Sequence, residues 1–311
     1  MTEWESKIMA YCDKDFVSAS RIQRLRNGRG SVCVKREDES GFGISGCKRR
    51  KYASLIPWLV KENPDKVIII GGENSNNVVG LLQMFLSFGT PYQLYLKAQK
   101  GGTPKGNSAL VRLLTDWETV RIVENTEWEG VEILAKTENA SGNTIVIPEG
   151  GSHRVAIPGL MTLGLDIERN EQEKGLFFEH LFIDSGTGLT AAALAYWNVW
   201  SGRDAVVHIV HVAGEELDFL RQFEQCNAFF GTNLKPEKVR HYSPISGKSF
   251  GSVNATVMQF VKTLARTEGI LTDPVYTAKL FMTAQSVIAE AQLDNAMIIH
   301  SGGGTGLMGF L

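Results

Sequence analysis

The stretch His180-Leu-Phe-Ile-Asp184-Ser-Gly-Thr-Gly188-Leu-Thr190-Ala-Ala-Ala-Leu-Ala-Tyr196 decides the fold class. Residues 180–183 form a short apolar run suited to a buried strand. Gly186 and Gly188 break it, and the alanine-rich segment from Leu189 carries helical spacing. A buried strand feeding directly into a helix is the repeating unit of a parallel sheet covered on both faces. Working outward, the same alternation recurs. Strands are predicted at 31–35, 66–70, 92–96, 120–123, 144–147, 180–183, 205–212 and 296–300. Helices are predicted at 49–60, 76–88, 108–116, 129–139, 189–200, 215–230, 254–268 and 278–291. The fold class is α/β, with mostly parallel sheets flanked by helices.

The turn in the opening stretch also carries chemistry. Glycines let backbone N–H groups approach an anion, and the following helix points its positive end at the same place. Ser185, Gly186, Thr187, Gly188, Leu189 and Thr190 form this candidate cradle. No lysine stands where a nucleoside triphosphate loop needs one, and neither Gly-rich turn has the dinucleotide pattern with its downstream ribose acid. A second turn, Gly71-Gly-Glu-Asn-Ser75-Asn76-Asn77, follows an apolar strand. Ser75 is a good helix N-cap, and these three polar side chains at a dipole end also suit a carboxylate or a cofactor oxygen.

Lys48 lies in Gly46-Cys47-Lys48-Arg49-Arg50-Lys51, just past the 31–35 strand and at the start of a helix. Like charge and partial burial are expected to lower its pKa and free the amine for attack on an aldehyde. Near the C-terminus, Met297-Ile-Ile-His300 runs into Ser301-Gly-Gly-Gly304, and the Ser301 hydroxyl can meet a pyridine nitrogen without protonating it. An aldehyde-reactive lysine with two anion-holding turns points to pyridoxal 5'-phosphate.

The 311 residues allow two compact lobes. With 32 basic and 34 acidic residues the net charge is −2, which leaves no global nucleic-acid footprint. The four cysteines lack metal spacing and read as free thiols of a cytoplasmic protein. No signal-type N-terminus and no membrane-spanning run is read. His208 and His211 lack carboxylates at metal spacing, so no metal is assigned. His300 reads as a satisfied core histidine, Cys47 as an inert small residue, and the loop 97–107 as a solvated surface or a lid over the substrate.

These segments, in this order, resemble the family of 1-aminocyclopropane-1-carboxylate deaminase and D-cysteine desulfhydrase, fold type II (tryptophan-synthase-β-like) pyridoxal phosphate enzymes. The resemblance rests on Lys35-Arg-Glu-Asp38, Gly46-Cys-Lys-Arg-Arg-Lys51, the 71–77 turn, Gly150-Gly-Ser152, Ser185-Gly-Thr-Gly188 and Ala265-Arg-Thr-Glu-Gly-Ile-Leu-Thr-Asp-Pro-Val-Tyr276. It implies that Lys48 binds the cofactor covalently and moves the α-proton, while Lys51 helps hold the phosphate. Ser75, with Asn77 and Ser152, would meet the substrate, and Asn76 would bond the cofactor's ring oxygen. Residues 187–190 would cradle phosphate, and Tyr276 would face the substrate opposite the lysine.

Three departures bear on the reaction. Thr277 stands where the deaminases of the family place a glutamate against the pyridine nitrogen. A neutral hydroxyl, from Thr277 or Ser301, gives a weaker electron sink, sufficient when a good β-leaving group departs. Phe250 replaces a second active-site tyrosine at the substrate, and Cys47 replaces an asparagine. The expectation is β-elimination with deamination of a small amino acid, D-cysteine desulfhydrase-like, giving a 2-oxo acid and ammonia. β-Replacement, 1-aminocyclopropane-1-carboxylate deamination and a non-catalytic cofactor-binding homologue are the alternatives. The expected architecture is two-lobed, with a large domain (1–51 plus 159–311), a small domain (52–158) and the cofactor between them. A homodimer is usual in the family resembled.

Overall fold

The computed structural model describes residues 2–26, 31–99, 101–140 and 142–311. Ten strands and eleven α-helices are found among them. The strands are β1 (Ile22–Arg24), β2 (Cys33–Lys35), β3 (Lys66–Gly71), β4 (Tyr92–Lys97), β5 (Val120–Val123), β6 (Thr144–Ile147), β7 (His180–Ser185), β8 (Val206–His211), β9 (Val239–Tyr242) and β10 (Ala296–Ile299). The helices are α1 (Glu3–Met9), α2 (Cys47–Glu62), α3 (Asn76–Phe88), α4 (Asn107–Leu114), α5 (Val131–Glu138), α6 (Ile157–Lys174), α7 (Leu189–Trp200), α8 (Glu216–Phe230), α9 (Ala255–Glu268), α10 (Thr277–Ala291) and α11 (Gly304–Leu307). One sheet has the order β1-β2-β10-β7-β8-β9, the other β5-β4-β3-β6. All neighbours are parallel except β1 against β2.

The central strands are apolar on both faces because helices cover both faces. Along β7, Leu181 and Ile183 pack into the core under α6, α7 and α8, while Phe182 enters the core on the α10 side. The smaller sheet is sandwiched likewise, with Val67 and Ile69 on one face and Ile68 and Ile70 on the other. No helix of the described residues is long and apolar enough to cross a membrane.

Helix α6 is absent from the sequence reading, which finds no helix between 139 and 189. Its Pro158, Gly159 and Gly164 look like breakers. Pro158 sits in the first turn, where a missing N–H costs nothing. The glycines are there for contact. A Cβ on Gly159 would lie 2.1 Å from the Arg50 carbonyl oxygen, and one on Gly164 would lie 2.0 Å from the Trp197 ring. Helices α2 and α6 therefore cross with their backbones nearly touching. Strands β1 and β9 were also missed. Both are sheet edges and only part-buried, so neither carries the apolar run that marks an inner strand.

A buried ion cluster clamps α2 to α6. The Arg50 guanidinium donates Nε to Glu37 Oε2 at 2.6 Å and Nη2 to Asp166 Oδ2 at 2.7 Å, and Lys35 Nζ donates to the same Asp166 oxygen at 2.5 Å. Asn170 Oδ1 and the Ser20 carbonyl complete the lysine's partners. Burial alone would raise the Asp166 pKa, but Arg50 and Lys35 outweigh it and hold the carboxyl below its ordinary value. Conserving this geometry fixes where the first turn of α2, and hence Lys48, stands.

Candidate active site

A cleft of about 1800 Å³ opens at the C-terminal ends of the strands of both sheets. Lys48 lines it from the first turn of α2. That turn is pinned from below. The Cys47 N–H donates to the Ser301 carbonyl at 3.1 Å, and Gly46 adopts φ 67°, ψ −157°. A Cβ on Gly46 would lie 1.9 Å from the same carbonyl oxygen. The glycine before Cys47 is thus what lets α2 start directly against the loop after β10, bringing Lys48 beside Ser301.

The basic cluster separates in space. Arg50 turns into the buried ion cluster, and Arg49 donates to the Ser40 carbonyl. Lys51 alone joins Lys48 in the cleft, its Nζ donating to the Gly150 carbonyl at 2.6 Å. Burial, then the charge of Lys48, lowers the Lys51 amine to about 7. Lys51 is the buried member of the pair, and Lys48 is half-buried.

Opposite these amines stands the N-terminus of α7. Gly188 is its N-cap at φ 89°, and no side chain caps it. Its first N–H groups are left for a ligand of negative charge. A Cβ on Gly188 would meet the Asp218 carbonyl oxygen at 3.1 Å, so only glycine makes this turn at this spacing. Thr187, Leu189, Thr190, Ser185 and Gly186 line the same region. Ser152 Oγ donates to Thr187 Oγ1, which ties the Gly150-Gly151 turn to this loop.

Ser75 caps α3, accepting from the N–H groups of Asn77 and Val78 at 3.2 and 3.3 Å, and still lines the cleft. Asn76 Oδ1 accepts from Asn107 at 2.8 Å. Asn77 differs. It is 2% exposed, lines the cleft, and neither side-chain polar atom has a partner. A buried amide in that state awaits a ligand. The Lys97–Asn107 loop, of which residue 100 lies outside the described residues, turns Gly101 to Lys105 to the cleft.

Tyr276 lies over Gly186, whose Cβ would be 3.4 Å from the tyrosine ring. Burial, then Asp273, Asp184 and Glu149, raises its phenol above the ordinary value. Phe250 is 62% exposed and meets the Tyr276 ring edge-on at 5.9 Å between centroids. Thr277 is not brought into the cleft. It is fully buried, and its hydroxyl donates to Asp273 Oδ2 at 2.8 Å and accepts from the Asp273 N–H at 2.9 Å. Asp273 in turn accepts from the N–H groups of Val275, Tyr276 and Thr277, organising the start of α10. Ser301 does line the cleft.

Sequence reasoning missed Asp184, the penultimate residue of β7. It lines the cleft, is 9% exposed, and its Oδ1 has no hydrogen-bond partner. The signal was present in the opening stretch, a charged residue in an apolar strand immediately before a glycine turn. The remaining candidates are structural. His300 is fully buried and bonds the Leu271 carbonyl at 2.9 Å. Cys47 is buried in the core, which raises its thiol pKa. His208 bonds Tyr242 and His180, and His211 bonds His241.

The donors fit a phosphorylated aldehyde cofactor. An uncapped helix end with a buried ammonium suits the phosphate, an orphaned Asn77 amide suits a ring substituent, and the Lys48 amine shares their cleft. Such an arrangement on two parallel sheets defines an enzyme that anchors its cofactor through a lysine. Residues 13–302 match the family described as pyridoxal-phosphate dependent enzyme, and the chain belongs to it. Among curated relatives, the mitochondrial bifunctional D-cysteine desulfhydrase/1-aminocyclopropane-1-carboxylate deaminase of Arabidopsis thaliana is 28% identical over 307 residues, spanning 91% of this chain and 74% of its own. A D-cysteine desulfhydrase of Serratia proteamaculans is 22% identical, spanning 93% and 92%. The crystal structure of a protein described as an ACC deaminase homologue superposes with a TM-score of 0.85 at 23% identity, covering 100% of this chain and 97% of its own, and establishes the fold.

Proposed function

We propose that this pyridoxal phosphate-dependent enzyme catalyses β-elimination with deamination of a small amino acid bearing a β-leaving group, releasing a 2-oxo acid and ammonia. D-Cysteine is the model substrate, from the activities named for the relatives. Bound pyridoxal phosphate supplies the electron sink that makes the substrate's α-proton removable. The chain's own groups do the rest. Lys48 Nζ anchors the cofactor and takes the α-proton. Lys51 and the N–H groups that open α7 hold the phosphate, with Thr187 and Thr190 beside them. Ser75 has its oxygen committed to capping α3, which leaves its O–H to donate to a substrate carboxylate. Ser152 stands with it, the Asn77 amide is shared between substrate and the cofactor's ring substituent, and Phe250 and Tyr276 cover the other side.

The observation that carries this reading is the meeting of the Lys48 amine with an uncapped helix N-terminus in one cleft. Borohydride treatment after incubation with the cofactor tests it. A reduced pyridoxyl group on Lys48, absent from K48A, is the expected result, and a colourless, unlabelled protein refutes the reading. A screen of D- and L-amino acids for 2-oxo acid and ammonia then identifies the substrate. A second reading, ring-opening of 1-aminocyclopropane-1-carboxylate, is favoured by one observation, the Asp184 carboxyl in the cleft, and the same screen separates the two.

The two-lobe division at 51/52 and 158/159 belongs to this proposal. Both boundaries fall in helices, α2 and α6, so lobe movement would pivot where these cross. A cytoplasmic homodimer is also part of it. The four free thiols accord with a reducing compartment, and sedimentation of the holoenzyme measures its mass.

A further inference from the structure

Asp184 is an acidic side chain of the cleft that the proposed chemistry leaves without work. It is nine-tenths buried and one carboxyl oxygen is unpartnered, whereas nearby Asp273 has its carboxylate filled by the backbone and hydroxyl donors that open α10. Strand register explains its placement. Phe182 pairs with Ile298, and two further residues carry β7 to Asp184 beside the point where β10 gives way to His300 and Ser301. Ser301 and Lys48 lie close enough to pull its pKa down, against the larger effect of burial, which raises it.

A buried acid with a free oxygen, in a cleft that takes a pyridine ring, has one matching partner on that ring. The basic nitrogen is the ring's own acceptor. It lies across the ring from the carbon that a lysine amine attacks, so its partner would be a second group of the same cleft. We propose that Asp184, with Ser301 beside it, is the residue that protonates the cofactor's ring nitrogen. This rests on the cofactor reading above. The carboxyl O–H proton passes to the nitrogen lone pair, leaving a carboxylate paired with a pyridinium, and the proton is drawn from solvent when the cofactor binds. Asp184 so supplies from β7 the acid that position 277 lacks. Thr277 therefore does not argue for a weak electron sink, and its side chain gives no ground for preferring elimination over ring opening.

The groups facing Asp184 are Lys48 from α2, Ser301 after β10, and Asp273 and Tyr276 at the start of α10. Lys48 is the rival partner. Were Asp184 only its counter-ion, the ring nitrogen would be unprotonated. The deciding experiment is the ¹⁵N spectrum of holoenzyme loaded with ring-¹⁵N-labelled pyridoxal phosphate. Wild type is expected in the pyridinium range at neutral pH, and D184N is expected to shift to the neutral pyridine range, with S301A moving less. A neutral pyridine signal in wild type overturns the proposal without any variant. So does a pyridinium signal in D184N. Borohydride labelling of Lys48 in the same samples reports the cofactor reading separately, so labelled Lys48 with an unprotonated nitrogen sinks only the role of Asp184.

Discussion

Gly46→Ala is the sharpest test of how this fold aims Lys48. The glycine stands at φ 67°, ψ −157°, a region essentially closed to residues with a Cβ, at a cost of about 1–3 kcal/mol. The added Cβ would also lie 1.9 Å from the Ser301 carbonyl oxygen and 2.6 Å from its carbon. Backbone cannot swing aside as a side chain can. Relief requires that α2 lift from the loop after β10, breaking the 3.1 Å bond from Cys47 N–H to Ser301, worth about 1 kcal/mol net. The sum is about 3–5 kcal/mol once residual overlap is included. With an unfolding entropy of about 2.1 cal/mol/K per residue, that lowers Tm by about 5–8 °C. Gly89→Ala is the control. Gly89 has φ 64° but no heavy atom within 4 Å of its would-be Cβ, so it meets only the backbone cost of about 1 kcal/mol. Thermal unfolding followed by circular dichroism, with and without cofactor, compares them. G46A should unfold well below G89A and bind pyridoxal phosphate more weakly, because the lysine's turn is displaced. Equal melting temperatures, or undiminished cofactor retention, would show that contact with Ser301 does not position Lys48.

The buried ion cluster gives the second expectation. Glu37→Gln leaves Arg50 underpaired in a dry site and should cost about 3–5 kcal/mol in urea unfolding. Because Asp166 has a lowered folded pKa, its contribution is complete above the unfolded carboxylate value of about 4 and is lost as pH falls through the folded value. Asp166→Asn should flatten that acid limb of the stability curve. Lys51 gives the same direction in a more alkaline window. Its folded pKa of about 7 lies below the unfolded 10.5, so the unfolded chain binds more protons between these values and cofactor-free stability rises with pH across them. Phosphate binding needs the ammonium, so the cofactor-free chain's affinity for inorganic phosphate should fall above pH 7 by calorimetry, and K51M should abolish both trends. Phe250 is mostly exposed, so Phe250→Ala should leave stability within about 0.5 kcal/mol while raising KM for the amino acid.

What was legible in the sequence follows from what local pattern can encode. Strands β3 to β8 and β10 are apolar runs ended by turns, and each was placed within a few residues. The cleft was legible for the same reason, since its Gly-rich turns are where parallel strands end. Lys48, Ser75 and the 185–190 turn meet there because strand ends on two sheets face each other. Helix α6 was illegible because Gly159 and Gly164 are helix breakers locally and contact points globally, and only the positions of Arg50 and Trp197 reveal the second role. Thr277 and Asp184 show the same limit at the site. The resemblance, which puts a glutamate after the tyrosine, made Thr277 look like a wall of the cleft, yet Asp273 takes its hydroxyl inward. Asp184 read as the tail of a strand, yet the pairing of β7 with β10 carries it to the cleft floor beside Ser301. Which acid or hydroxyl meets a bound ring is therefore a property of the register between two strands more than a hundred residues apart. It cannot be recovered by aligning a motif to the position where other sequences keep a glutamate.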